Sequence, residues 1–192
     1  MTIAILAMQG AFLEHGQMLD RLGVEHFEIR KKEDLNRHFD GLILPGGEST
    51  VMRKLLIELD IYDTLKQKIE DGLPVFGTCA GLILLAEHIA DDPTVHFGTL
   101  PVTVKRNAYG RQLGSFQCTA DVEEIGKQLP FTFIRAPYIE SVEPGVDVLS
   151  VVDDHIVAVV YKNQLALSFH PEVGQDTRIH EFFLDRVRKK KG

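Results

Sequence analysis

The sequence predicts an α/β protein: a three-layer sandwich with a mostly parallel central sheet, helices on both faces, and antiparallel strands in its second half. Three observations carry this expectation. Short, wholly apolar runs alternate with helix-period segments up to about residue 90. Glycines stop the helical segments, as expected where a chain must leave a helix through a left-handed residue. Beyond about residue 98 the pattern changes to short strands separated by turn residues.

In chain order, "TIAILAM" is a continuous apolar run ended by Gly10, the mark of a strand buried on both faces. Residues 11–22 read as a helix stopped by Gly23. "VEHFEI" alternates as a strand, and "GLILPGG" contains another short buried one. Residues 50–58 and 62–71 read as helices; Ile61, Leu65 and Ile69 recur every four residues, and Gly72 is the stop. "LPVFG" is the next strand, with a helix expected over 80–90. Strand–helix alternation of this kind gives a flavodoxin-like parallel sheet with crossover helices on both sides. Later, "TLPVTVKRNA", "GSFQCTADV", "FTFIRAPYIESV" and "DVLSVVDDHIVAVVYKNQLALSF" read as hairpins joined to the same sheet, with turns at Pro144-Gly145, Asp153-Asp154 and Lys162-Asn163. The tail, about 176–189, carries Ile179, Phe182, Phe183 and Val187 on one face of a closing helix. No repeat or linker interrupts this order, so one domain over 1–192 is expected.

Composition bounds the function. The chain has 192 residues, 44% of them apolar, enough for a full core. A net charge of −7 argues against a nucleic-acid partner, and the basic end "RVRKKKG" reads as a solvated helix terminus. No apolar run approaches the ~18 residues of a membrane-spanning helix. The start, "MTIAILAMQGAF", has no basic leader region and reads as a first strand. Two cysteines, Cys79 and Cys118, without an export signal suggest free thiols in the cytoplasm. Neither metal-ligand spacing nor a phosphate-binding loop is present, so no metal and no cofactor is expected.

The chemistry concentrates at "VFGTCAGLILLA". Cys79 stands between Gly77 and Gly81 where a strand turns into a helix, in the G-x-C-x-G form of a nucleophile elbow. Such a turn needs small residues on both sides, and the first helical turn directs N–H groups at the sulfur, where they stabilise negative charge. The alternative is a small buried core residue whose glycines serve close packing. A thiol nucleophile needs a base, and the base a partner. In "LALSFHPEV", Pro171 ends a strand, and His170 and Glu172, two apart in extended chain, present imidazole and carboxylate to one side. The other seven histidines, His15, His26, His38, His88, His96, His155 and His180, lack such context and read as surface or helix-face residues. For an oxyanion hole, one donor is the Ala80 N–H; the Pro45-Gly46-Gly47 loop is a candidate for the second, before a helix with Ser49 or Thr50 near its cap.

The "PGG" loop, G-x-C-x-G elbow and H-P-E segment, in that order, resemble class I, triad-type glutamine amidotransferases. "MQGAFLEH", "LPGGESTVMRKL", "PVFGTCAGLILLA", "VKRNAYGRQLGSF", "FIRAPYIE" and "SFHPE" narrow the resemblance to the glutaminase subunits of pyridoxal 5′-phosphate synthases. The resemblance implies Cys79 as nucleophile forming a γ-glutamyl thioester, His170 as base and then acid, and Glu172 as its orienting partner. It implies oxyanion donors at Gly47 and Ala80, and L-glutamine held by Gly46, Gly47, Glu48, Ser49, Arg106, Ile134 and Arg135. A substrate with a free α-carboxylate and α-ammonium calls for one cation and several acceptors, which suits the arginines. Gln9 and Gly10 match a stretch near the site rim and partner interface, or else simply end a strand. Tyr109 and Gln117 depart from the usual phenylalanine and acid; Cys118 lacks elbow and base and reads as structural. The implied partner is a (β/α)8-barrel pyridoxal 5′-phosphate synthase subunit in a large hetero-oligomer, with glutaminase activity weak until the partner docks; a physical reason for this would be a Gly46–Gly47 peptide that must turn to complete the oxyanion hole. Two other readings stand beside this one: a glutaminase subunit for another pathway, such as histidine or folate biosynthesis, and a non-catalytic flavodoxin-type binding module or stress protein.

Overall fold

The structure, a computed structural model, describes residues 1–106 and 114–191. Most of "RNAYGRQ", including Tyr109, lies outside the described residues. The first strand β1 (Thr2–Leu6) leads through helix α1 (Phe12–Arg21) to β2 (Glu25–Ile29). Next come β3 (Gly41–Leu44), α2 (Ser49–Glu58), α3 (Tyr62–Glu70), β4 (Val75–Thr78) and α4 (Ala80–Leu85). Strands β5 (Ala86–Ile89), β6 (Leu100–Lys105), β7 (Ser115–Val122), β8 (Gly126–Ile134) and β9 (Tyr138–Val142) follow. The chain closes with β10 (Asp147–Val152), β11 (His155–Tyr161), β12 (Gln164–Leu167) and α5 (Arg178–Lys191).

The main sheet runs β2-β1-β3-β4-β12-β11-β9-β6-β5, with β10 paired to β11. Strands β2, β1, β3, β4 and β12 are mutually parallel, and their carboxyl ends point to one edge. Period-two alternation splits β1 between the two faces. Ala4 and Leu6 join Leu44, Met52, Leu56 and Leu82 on one side; Ile3 and Ile5 join Phe76, Phe131, Phe183 and Val187 on the other. Both faces are therefore dry, which is why these strands are continuous apolar runs.

Two expectations are corrected. The helix expected over 80–90 ends at Leu85, because Ala86–Ile89 pairs in parallel with β6 (Ala86↔Leu100, His88↔Thr103). The run "LILLAEHI" is apolar enough for either element, and backbone pairing decides it. Strands β7 and β8 do not join the main sheet; they form a separate two-stranded ribbon whose Phe131 and Phe133 pack on Phe169. No described helix is long and apolar enough to cross a membrane.

Candidate active site

Loops at the carboxyl ends of β1, β3, β4 and β12 converge on one cavity, as open parallel sheets dictate. It holds about 370 Å³ and is lined by Gln9, Gly47, Glu48, Ser49, Cys79, Ile83, Arg106, Arg135 and Pro137. A larger cleft of about 660 Å³ lies where β10 meets the turn between β7 and β8, but no nucleophile–base pair lines it.

Cys79 sits at the head of α4 with φ +50° and ψ −100°, a conformation that side chains avoid unless the surroundings impose it. The surroundings here are glycines: a Cβ on Gly81 would lie 2.0 Å from the Leu44 carbonyl oxygen, and one on Gly77 2.8 Å from the Gly81 carbonyl carbon. This close approach lets the elbow push its sulfur into the cavity wall, where it is nearly buried and 3.9 Å from the Ile134 carbonyl oxygen. Cys118 is also unpaired, in β7 opposite Phe131, and burial pushes its thiol pKa up.

His170 leaves β12 with its N–H bonded to the Thr132 carbonyl (2.8 Å), and its Nδ1 lies 2.6 Å from Oε1 of Glu172. Both side chains are almost wholly buried. Burial alone would lower the imidazole pKa; hydrogen bonds and negative charge from Cys79 and Glu172 outweigh it and raise it to about 10. Nδ1 is engaged by the carboxylate, so Nε2 is the nitrogen left to serve the sulfur. The His170 ring lies directly over Gly46, where a Cβ would meet Cε1 at 2.3 Å.

The glycine loop is fixed from below. The Gly46 carbonyl accepts the Ala11 N–H (3.2 Å), and Gln9 Oε1 accepts the Glu48 N–H (2.6 Å). Gln9 therefore does more than end a strand: it lines the cavity and ties two loops together. The cap of α2 is Glu48, with Ser49 and Thr50 beside it in the first turn; its carboxylate accepts the N–H groups of Thr50 and Val51 at 3.2 and 2.8 Å. A side-chain cap of this kind is worth about 1 kcal/mol. Arg106 is ion-paired to Asp92 and lies 3.4 Å from Thr50 Oγ1, while Arg135 holds a left-handed backbone at φ +46° on the cavity rim.

The structure thus brings together Gly46, Gly47, Glu48, Ser49, Cys79, Ala80, Arg106, Ile134, Arg135, His170 and Glu172. Gln117, the residue standing where an acid is usual, lies on β7 facing Thr132. Three histidines read as surface or helix-face residues are buried: His15, His96 and His180. His15 and His180 join the site from behind, with His15 Nε2 3.6 Å from Glu172 Oε2. A signal was present in the sequence. His15 shares a face with Met18 and Leu19, and His180 with Phe183, Leu184 and Val187, at three-, four- and seven-residue spacing.

Burying neutral histidines makes stability depend on pH. Burial pushes His180 down to about 4, and burial followed by the Arg53 charge does the same to His96. His15 is lowered by burial, then by His180 and His170. The unfolded chain takes up the His96 and His180 protons near 6.5 and the native one only near 4, so stability is intact above 6.5 and lost as pH falls between the two. Linkage gives a loss on the order of 2 kcal/mol for each of His96 and His180 at about pH 5, and His15 acts in the same direction. His170, raised instead, is protonated in both states below 6.5 and adds nothing in that window. The urea midpoint is therefore expected to fall clearly between about pH 6.5 and pH 5; an unchanged midpoint contradicts the neutral, buried assignment.

A family model described as the SNO glutamine amidotransferase family matches residues 5–189. Pyridoxal 5′-phosphate synthase subunit PdxT of Desulfitobacterium hafniense (strain Y51) is 58% identical over 187 residues, covering 97% of this chain and 94% of that protein. The PdxT of Streptococcus pneumoniae (strain ATCC BAA-255 / R6) is 51% identical over 193 residues, covering 99% and 100%. A crystal structure of a glutamine amidotransferase superposes with a TM-score of 0.91 at 44% identity, over 96% of this chain and 98% of that one. A glutamine amidotransferase from Thermotoga maritima shares the fold, with a TM-score of 0.63 at 18% identity, over 99% of this chain and 84% of that one.

Proposed function

The chain belongs to the SNO glutamine amidotransferase family, and from that premise we propose that it is the glutaminase subunit of a pyridoxal 5′-phosphate synthase. It forms one glutaminase domain over 1–192 and hydrolyses L-glutamine to L-glutamate and ammonia. The observation that carries the chemistry is the buried His170–Glu172 pair, 2.6 Å apart, behind a cysteine held at positive φ on a cavity wall.

The sulfur of Cys79 attacks the side-chain amide carbon, and the C=O electrons move onto oxygen. The N–H groups of Gly47 and Ala80 stabilise that oxyanion. His170, holding the thiol proton on Nε2, passes it to the departing nitrogen; the C–N bond breaks, ammonia leaves, and a γ-glutamyl thioester remains. His170 then takes a proton from water, whose oxygen attacks the thioester carbon; the resulting oxyanion collapses, the C–S bond breaks, and glutamate leaves with the thiolate of Cys79 and the proton on His170 restored. Glu172 holds the ring in the tautomer each step needs. Arg106 and Arg135 face the α-carboxylate, with Glu48, Ser49, Gly46, Gly47 and the Ile134 carbonyl placing the rest of the substrate. No cofactor enters these steps, and pyridoxal phosphate is the product of the whole assembly. A free thiol at Cys79 suits a reducing, cytoplasmic setting.

The partner we propose is a (β/α)8-barrel synthase subunit in a large hetero-oligomer, which receives the ammonia. Docking turns the Gly46–Gly47 peptide to aim the Gly47 N–H at the oxyanion. That turn gives up the bond from Ala11 to the Gly46 carbonyl, a net cost of about 1 kcal/mol that an interface easily supplies. Ammonia release from glutamine, measured with and without the barrel subunit, is expected to rise severalfold or more on mixing. Equal turnover by the free and assembled subunit would sink the docking step, and co-purification with a different synthase would point to another pathway.

A further inference from the structure

Behind Cys79, His170 and Glu172 the core holds two histidines that the proposed steps do not use. His15 from α1 and His180 from α5 are fully buried, with His15 Nδ1 3.0 Å from His180 Nε2. The other nitrogen, His15 Nε2, lies 3.2 Å from Thr78 Oγ1 and 3.6 Å from Glu172 Oε2. That Oε2 is buried without a hydrogen-bond partner among the described residues, while Oε1 is engaged by His170. Phe76 stands edge-on to both rings and fixes their planes.

Electrostatics selects one proton arrangement. If His15 carried its hydrogen on Nδ1, the bare lone pair of Nε2 would face a buried carboxylate oxygen, and His180 Nδ1 would be left as a buried, unanswered donor. With the hydrogen on Nε2 of each ring, His180 donates to His15 Nδ1, and His15 donates to Thr78 Oγ1 with its positive end toward Glu172 Oε2. A neutral His15 can serve as this donor, as its burial beside another histidine requires.

We propose that His15, its tautomer set by His180, is a positioning residue that holds the far oxygen of Glu172, so that the near oxygen stays on His170 and Nε2 of His170 stays on Cys79. The proposal rests on the Cys79–His170–Glu172 reading and extends it by two residues from helices distant in sequence. The titratable groups facing Glu172 are His170 on its own loop and His15 from α1; His180 from α5 stands behind His15, and Cys79 beyond His170. Thr78 links the chain of contacts to the elbow, since it directly precedes Cys79.

The test uses the assembled complex and two readouts that a purely structural role does not move: the kcat–KM split for glutamine, and the pH profile of Cys79 alkylation by iodoacetamide. His15→Phe fills the volume without an N–H. It is expected to lower kcat about tenfold to a hundredfold, the range for losing an outer partner of a catalytic group, with KM little changed and the alkylation profile displaced. His180→Phe leaves His15 in place but removes its donor, and is expected to displace the profile the same way by less. His15→Gln, which restores an N–H near the Nε2 position, recovers much of kcat. A folded His15→Phe with wild-type kcat and profile overturns the proposal; if that variant does not fold, an unchanged profile in His180→Phe overturns it. Cys79→Ala runs alongside. Activity in that variant removes the triad itself, a failure distinct from an inert His15.

Discussion

Replacing Cys79 by alanine is expected to abolish glutamine hydrolysis while leaving the fold intact. No other described group on the cavity wall can form a thioester: Ser49 is buried in the first turn of α2, and the second thiol, Cys118, lies in the β7–β8 ribbon. The loss should be at least about 10⁴-fold, or about 5 kcal/mol of transition-state stabilisation, because nucleophile and base act as a unit. Alanine keeps the Cβ, and the φ of +50° costs it what it costs cysteine, so the backbone has no new reason to move. Only a sulfur's worth of packing disappears, which should shift Tm by a few degrees at most. Cys118→Ala should leave kcat unchanged. Ammonia release by the purified complex measures both, and near-normal turnover in Cys79→Ala rules that cysteine out as the nucleophile.

The second large effect is expected at Gly46, where the smallest possible change meets the base directly. An alanine Cβ there would stand 2.3 Å from His170 Cε1, far inside van der Waals contact. The imidazole cannot absorb the strain without leaving Glu172, because its Nδ1 is already held at 2.6 Å and the His170 backbone N–H is tied to the Thr132 carbonyl. Gly46→Ala should therefore lower kcat about 10² to 10³-fold through a misplaced base, with stability reduced by about 1 to 3 kcal/mol from overpacking. Gly174→Ala, where the nearest atom to a new Cβ is 3.9 Å away, is the matched control and should retain activity. Wild-type kcat in Gly46→Ala would contradict the placement of His170.

What the sequence revealed was what short segments encode. Cys79 between two glycines, and His170 two residues before Glu172, declare a strained turn and an oriented imidazole without reference to the rest of the chain. Continuous apolar strands followed by glycine-stopped helices likewise imply a parallel sheet with loops gathered at one edge. Features made by distant contacts stayed hidden. His15 and His180 are separated by 165 positions, and nothing local tells a histidine on an apolar stripe that a carboxylate waits behind it. Asp92 looks like an ordinary loop acid until the fold sets it against Arg106. Residues 86–89 looked helical because apolar content does not distinguish a helix end from a strand that finds a partner in β6.

The central claim is that Cys79 forms the covalent bond to glutamine, and a glutamine-shaped diazoketone tests it most directly. Such a compound is held as the substrate is, and its reactive carbon alkylates the attacking sulfur with loss of nitrogen. Incubated with the assembled complex, it should add one equivalent of mass to the peptide carrying Cys79, leave Cys118 untouched, and extinguish ammonia release in step with labelling. Full inactivation with the label on another residue, or sustained hydrolysis after Cys79 is fully labelled, would contradict the claim.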